Sequence, residues 1–316
     1  MRRWLLVSAL VCAWLWWRGG DHTSHDAEQQ AAVLPDGFAL LDGHRVVEVD
    51  RQGKQRKEHA LTHDDELRLV GTAGGPVAGW VESKKLKLVH VATGKDSVWG
   101  KSARMLCQGT ATNDERFAVG WLEADDTVWF VHGDTQRRSS ELAAVGEPLS
   151  IATTDRKGWC GIASAKDLIA LFWRDRDRLF IATCTRKKCS GLPASVALGR
   201  EETLLGFGCV RDACLLAARD RSKPARLLYV TESGATKWTK PLATNVAEVS
   251  IVGAGDRAFA VGFVGEAGSE VVRVDRTGNI APVWKGPSAK HAPALAWSRD
   301  QLLVGAGAPV VVGLPR

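Results

Sequence analysis

The sequence has one tyrosine, two methionines and no amphipathic pattern long enough for a helix of three turns. It also lacks a Gly-x-Ser-x-Gly elbow, a P-loop and an EF-hand loop. Without helical periodicity, neither a helix bundle nor a helix-covered parallel sheet can be built. The missing motifs exclude the nucleophile elbow, the phosphate loop and the calcium loop, each of which needs its residues at fixed spacing. A sustained run of one charge is missing too. The net charge of +6 is dispersed over 316 residues. Its small basic groups, Lys84, Lys85 and Lys87 and then Arg186, Lys187 and Lys188, carry no interleaved aromatics. They read as solvated loop tips, and no nucleic-acid partner is expected.

What is present begins with a targeting segment. Met1-Arg2-Arg3 is a short positive start, and Trp4 to Trp17 is an almost unbroken apolar run closed by Arg18-Gly19-Gly20. As a helix that run spans about 21 Å, short of a hydrocarbon core of about 30 Å. A signal segment therefore fits better than a full span. No clear cleavage motif follows, and Trp14, Trp16 and Trp17 suit a membrane interface. A cleaved signal and an uncleaved short anchor both stay open for residues 1–20. Either one exports the body of the chain, to a periplasmic, cell-surface or extracellular location. The polar stretch 21–35 reads as a tether, and 36–316 as the folded domain.

Cysteine usage agrees with export. Apart from Cys12, six cysteines lie between Cys107 and Cys214, and two pairs share one spacing, Cys184-x4-Cys189 and Cys209-x4-Cys214. Such pairs flank a tight turn and face each other across a hairpin at disulfide distance. The natural pairing is Cys184 with Cys189 and Cys209 with Cys214, leaving Cys107 for Cys160. The rival is a four-thiolate zinc site from the two close pairs. Zinc knuckles usually use a two-residue gap and export favours oxidation, so structural disulfides and no metal are expected.

From Asp36 onward, short runs of Val, Leu, Ile, Ala and Trp alternate with turn residues every six to ten positions. That is all-β texture. A repeat underlies it. LKLVHVATGKDSVW (Leu86–Trp99), LLYVTESGATKW (Leu227–Trp238) and VVRVDRTGNIAPVW (Val271–Trp284) share one word, with a weaker copy, RVVEVDRQGKQRK, at Arg45–Lys57. Upstream strands match as well, among them PVAGWVES at Pro76, FAVGWLEA at Phe117, CLLAARD at Cys214 and FAVGFVG at Phe259. A third class of strand starts at Leu67, Arg104, Leu149, Thr203, Val249 and Pro293. These starts recur about every 45 residues, the period of a four-stranded propeller blade. The expectation is one β-propeller of about six blades, five to seven being open. The strands at Phe38 and Arg45 would complete the C-terminal blade and latch the ring.

The strand, Asp/Thr-x-x-Gly turn, strand and terminal Trp resemble the quinoprotein-type ("PQQ-like") propeller repeat, also found in outer-membrane assembly propellers. The resemblance covers most of Asp36 to Arg316, with every copy degenerate. It implies blade architecture and says little of activity. The quinoprotein dehydrogenases need metal, acidic and aromatic groups meeting in the channel. No such set can be assembled here, so no cofactor is expected.

The remaining candidates each have a bland reading. Gly253-Ala254-Gly255-Asp256-Arg257-Ala258 matches a dinucleotide fingerprint in letters, but a strand follows it rather than a helix. His59 and His63, followed by Asp64 and Asp65, would share a helix face, yet no helical pattern surrounds them and a polar loop is expected. His22 and His25 belong to the tether. Trp173-Arg174-Asp175-Arg176-Asp177-Arg178 reads as a charge-compensated turn. Trp99, Trp238 and Trp284 recur at one repeat position and are expected to pack blade on blade, with Trp80 and Trp121 in the core. The leading functional expectation is a monomeric, non-enzymatic binding or scaffold protein of the cell envelope, holding a protein or glycan. The alternative is a secreted hydrolase whose catalytic residues are unknown and would gather in the channel.

Overall fold

The computed structural model describes residues 29–314 except 63–65, 101, 110, 114–115, 136–141, 155–158, 166–167, 185–188, 190–192, 200, 222, 243–245 and 255–257. The targeting segment, His22, His25, His63 with Asp64 and Asp65, and Arg186 to Lys188 lie outside the described residues.

All regular structure in the described residues is strand, and it falls into seven sheets. The first holds β1 (Gln30–Leu34), β2 (Gly37–Asp42), β3 (Arg45–Asp50) and β4 (Gln55–Ala60). The second holds β5 (Arg68–Thr72), β6 (Gly75–Glu82), β7 (Lys85–His90) and β8 (Asp96–Val98). In the third, β9 (Ala103–Leu106) and β10 (Ala111–Asn113) lie end to end along β11 (Arg116–Glu123). They form one interrupted inner strand, and β12 (Thr127–Thr135) and β13 (Leu142–Thr153) follow. The fourth is β14 (Cys160–Ala165), β15 (Leu168–Asp175), β16 (Arg178–Cys184) and β17 (Ala194–Ala197). The fifth is β18 (Glu202–Val210), β19 (Ala213–Asp220), β20 (Arg226–Thr231) and β21 (Thr236–Pro241). The sixth is β22 (Val249–Ala254), β23 (Ala258–Gly265), β24 (Gly268–Asp275) and β25 (Ile280–Gly286). The seventh has three strands, β26 (Ala294–Ser298), β27 (Gln301–Ala306) and β28 (Ala308–Gly313). Each sheet is an antiparallel meander in sequence order, which is a propeller blade.

Seven blades replace the expected six because the N-terminal strands form a blade of their own, and one inner strand also lies elsewhere than expected. LSIATT at Leu149 is not an inner strand but the outer end of β13, where Leu149 pairs with Phe130 and Ser150 with Trp129. The true inner strand there is β14, starting at Cys160. The strands at Phe38 and Arg45 do not complete the last blade; as β2 and β3 they sit inside their own four-stranded sheet. Finally, β1 lies within the stretch read as a tether. Its sequence, QAAVL, has one β-branched residue and gives little strand signal.

No single core unites the blades. Seven apolar clusters each bridge two neighbouring sheets, because a small twisted sheet has two faces to bury. One cluster joins Ala39 and Leu41 of the first blade to Leu69 and Trp80 of the second. The seventh joins the last blade to the first, packing Phe38, Leu40 and Val49 against Ala294, Ala296 and Leu303. At that seam the Gln301 side chain also donates to the Arg51 carbonyl at 3.0 Å.

The repeat word is the turn between the third and fourth strands of a blade. Gly53, Gly94, Gly234 and Gly278 occupy it with φ of 84°, 67°, 83° and 84°, the left-handed region where glycine carries no Cβ penalty. In the sixth blade Asp275 closes the turn, its Oδ1 accepting from the Thr277 hydroxyl at 2.6 Å and from the backbone N–H of Thr277 and Asn279. The Thr277 hydroxyl bond comes first among the influences on this carboxyl. Burial opposes it, the Asn279 bonds reinforce it, and the balance pulls the pKa from 3.8 to about 2. A carboxylate depressed in the folded state contributes stability that is complete above 3.8 and lost as pH falls through about 2. A carboxyl NMR titration should therefore place Asp275 near 2 and move it toward 3.8 in Thr277→Ala. An unchanged midpoint in the variant would contradict this account of the turn.

Candidate functional site

The inner strands of the seven blades surround an axis, and they approach one another too closely for side chains at some positions. A Cβ on Gly71 would meet the Val33 carbonyl at 2.0 Å, and one on Gly206 would meet the Val249 carbonyl at 2.0 Å. Glycine there lets neighbouring backbones converge. The axis holds a cavity of about 250 Å³.

Its lining is chemically mixed, and Ser164 of the fourth blade and Ser250 of the sixth add hydroxyls. Gln29 and Gln30 of the first blade, Arg68 of the second and Gln108 of the third supply polar groups. Leu205 and Phe207 of the fifth blade and Ile251 of the sixth supply an apolar wall. The Gln30 amide bridges to the second blade, donating to the Leu67 carbonyl at 2.7 Å and accepting from the Leu69 N–H at 2.9 Å. Arg68 donates to the Leu67 carbonyl at 3.1 Å and lies 3.8 Å from the exposed Glu66 carboxylate. Phe207 is held by Trp159 edge-on at 5.6 Å and by Phe172 at 4.7 Å. Among the described residues of this lining, Arg68 is the one charged side chain, and no Asp, Glu or His is present.

Beside this cavity, blades three and four are joined at the axis. The inner strand of the third blade breaks between β9 and β10, and there the Gln108 N–H donates to the Cys160 carbonyl at 2.9 Å. The Ile162 N–H returns a bond to the Gln108 carbonyl at 2.8 Å. The Cys107–Cys160 disulfide spans the same junction, while Cys184–Cys189 and Cys209–Cys214 each close a hairpin. Three disulfides fit an oxidising compartment.

Several titratable groups outside this lining are committed to structure. Burial works to raise the Glu202 carboxyl, but the Arg226 hydrogen bonds and the Gly199 N–H outweigh it and hold the acid below its ordinary range. His90 is 1% exposed, with its ring nitrogens 3.0 Å from the Gly74 carbonyl and 3.2 Å from the Thr93 hydroxyl. It is a satisfied core histidine. A more open depression at the seam of the first and last blades is lined by Asp42, Lys290 and His291. Asp42 already takes Arg45 and Gln29, and His291 already takes Glu248. Among the described residues, no three His, Cys, Asp or Glu side chains gather as metal ligands would.

The sequence candidates fall mainly on blades and turns. Gly253 and Ala254 end β22, and Ala258 opens β23, so the dinucleotide-like glycines join two strands; Gly255 to Arg257 lie outside the described residues. His59 belongs to the outer strand β4 rather than to a loop, 3.0 Å from Glu48. Arg174, Asp175 and Arg178 flank the β15–β16 turn, and Arg174 donates to the Glu202 carbonyl. Lys84, with φ of 63°, sits in the β6–β7 turn beside Lys85, and Lys87 pairs with Glu82. Trp99 stacks on Phe117 of the next blade at 5.7 Å. Trp238 stacks on Tyr229 at 5.3 Å and donates to the Arg276 carbonyl of the next blade. Trp284 lies in the cluster between blades six and seven, and Trp80 and Trp121 are buried.

The axial residues Gln30, Arg68 and Gln108 escaped the sequence reading. Their signal was a polar residue inside an inner-strand word, as in LRLVGT and RMLCQGT.

No family model matches the chain, and no curated protein matches it. Solved structures do. Virginiamycin B lyase from Staphylococcus aureus is 13% identical with a TM-score of 0.59, covering 92% of this chain and 96% of that one. The Pan2 WD40 domain of Neurospora crassa is 11% identical with a TM-score of 0.56, covering 94% and 92%. AztD of Citrobacter koseri is 11% identical with a TM-score of 0.51, covering 91% and 75%. At such identities the likeness establishes the propeller fold and nothing of the chemistry.

Proposed function

We propose that this chain is an exported propeller, built from degenerate quinoprotein-type repeats, that acts as a non-enzymatic binding or scaffold protein of the cell envelope. Residues 1–20 direct it across the membrane, and either remain as an anchor or are removed. The ring then presents its faces and axis to a protein or glycan, as a monomer. The observation that carries this reading is the chemistry of the axial cavity. Its described lining offers one guanidinium, amides, the hydroxyls of Ser164 and Ser250 and an apolar wall, with no carboxylate or imidazole to serve a hydroxyl as base, which suits recognition. A hydrolase needs an acid and a base, or a nucleophile and a base, within hydrogen-bond reach of one substrate atom. The three disulfides support a working place outside a reducing compartment.

Affinity capture from envelope extract tests the proposal, provided that the recovered component is purified and titrated back onto the oxidised chain. A saturable titration with one component is the expected result. Failure to recover any component reproducibly would count against a scaffold.

A further inference from the structure

The seventh blade stops one strand short of the others. Among the described residues its outermost strand β28 pairs with β27 alone, where every other blade adds a fourth strand. The Leu314 N–H donates at 2.7 Å to the carbonyl of Asp300, which lies opposite it in the β27–β28 register. Antiparallel alternation therefore turns the main-chain groups of Val310 and Val312 toward β27, and those of Pro309, Val311 and Gly313 outward. Proline fits that side, since the ladder makes no use of its missing N–H. The open edge presents N–H groups at Val311 and Gly313 and carbonyls at all three positions. It is also unguarded. The outer strands β4 and β21 carry Arg56, Lys57 and Glu58 and then Lys237 and Lys240, whereas APVVVG carries no charge and Val310 is 39% exposed.

The fifth blade shows what occupies the equivalent place. There β21 clasps a turn of the next blade, Asp275-Arg276-Thr277-Gly278, with two side chains. Trp238 donates its ring N–H to the Arg276 carbonyl at 2.9 Å, and the Lys240 ammonium donates to the Gly278 carbonyl. The seventh blade faces a turn of the same pattern, Asp50-Arg51-Gln52-Gly53, closed in the same way by Asp50 Oδ1 accepting from the N–H groups of Gln52 and Lys54. This turn is held more loosely. A Cβ on Gly278 would meet Trp238 at 3.1 Å, whereas one on Gly53 would meet nothing nearer than the Val311 nitrogen at 3.7 Å. The Arg51 carbonyl accepts from Gln301 and keeps a second lone pair. The stretch ahead of β1, DHTSHDAE at 21–28, has no tryptophan, lysine or arginine to act as a clasp. A second copy of β28, laid antiparallel about Val311, would set each Pro309 against a Gly313 carbonyl with no donor to offer it.

Resting on the reading of the chain as a binding protein, we infer that the open edge of the seventh blade binds an extended segment of a partner protein as an antiparallel fourth strand. Its main chain bonds to Pro309, Val311 and Gly313, and an aromatic residue with a basic residue two positions later lies on the turn from Arg51 to Gly53. Main-chain bonding supplies the affinity, and the aromatic and basic pair supplies the specificity.

The test is an NMR titration of the oxidised full chain with the acetylated, amidated peptide Ala-Thr-Lys-Trp-Thr-Lys, the sequence of residues 235–240. The amide signals of Val311 and Gly313 shift to saturation and gain protection from hydrogen exchange. Two isomers of the peptide, N-methylated at alternate residues, differ although their side chains are the same. One binds at least about tenfold more weakly and the other binds as the parent does, because one set of amide hydrogens faces β28. Val311→Pro removes an outward N–H and weakens both the parent peptide and the captured envelope component by at least about tenfold. Absence of saturation on folded protein, equal binding of the two isomers, or binding with no response at Val311 and Gly313 would overturn the inference. So would protection of those two amides in the chain alone, which in a monomer means that the chain covers its own edge and in a dimer that a second copy does. An envelope component that titrates unchanged onto Val311→Pro would overturn it too, and would leave the scaffold reading standing on another surface.

Discussion

Replacing Cys107 and Cys160 together by alanine should lower the unfolding free energy by about 4 kcal/mol, and replacing either hairpin pair by about 2 kcal/mol. The difference comes from loop length. Cys107 and Cys160 are separated by 53 residues, whereas Cys184–Cys189 and Cys209–Cys214 each span a separation of 5. A crosslink that closes a longer loop removes more conformational entropy from the unfolded chain. Position adds to length. Cys107 sits where the inner strand of the third blade is broken, so the disulfide holds an edge that β11 pairs only on either side. Denaturant unfolding of the oxidised proteins reads the ranking. Equal losses for the long and short crosslinks would mean that native geometry, rather than the unfolded chain, sets the effect.

The second large effect is expected at the seam. Phe38 is fully buried in the cluster that joins the first blade to the last, against Ala294, Ala296 and Leu303. Phe38→Ala should cost about 3–5 kcal/mol, the range for emptying a phenylalanine site in a packed core. The consequence should also be local. The seam joins segments more than two hundred residues apart, as the Gln301 to Arg51 bond shows with its separation of 250. Amide hydrogen exchange should therefore speed up in β1–β3 and β26–β28 before it changes in β18–β21. Uniform acceleration around the ring, or a loss below about 1 kcal/mol, would indicate that the seam carries little of the stability.

The blade architecture was legible because its turn is chemically demanding. A left-handed glycine recurs at Gly53, Gly94, Gly234 and Gly278, and glycines at fixed places in strand words are visible in one chain. The Cys-x4-Cys spacing was legible for a related reason, since facing residues of a tight hairpin are close in sequence. Strand placement and blade count were harder. Apolar alternation marks a strand but not its place in a sheet, so LSIATT in β13 could pass for an inner strand. In β1, two alanines and a glutamine concealed a strand whose partners, Phe38 to Leu41, fix it by pairing. The axial cavity was least legible. Gln30, Arg68 and Gln108 come from three blades, and only ring geometry brings them to one cavity with Leu205, Phe207 and Ile251.

Work in an oxidising compartment underlies the functional reading, and intact mass of the protein taken from its native membrane fraction tests it most directly. Measured before and after reduction, and with alkylation of free thiols, the mature chain should gain two hydrogens for each of three disulfides on reduction. Cys107, Cys160, Cys184, Cys189, Cys209 and Cys214 should take up alkylating reagent only afterwards. Six free thiols on the freshly isolated chain would place it in a reducing compartment and contradict the account of an exported propeller.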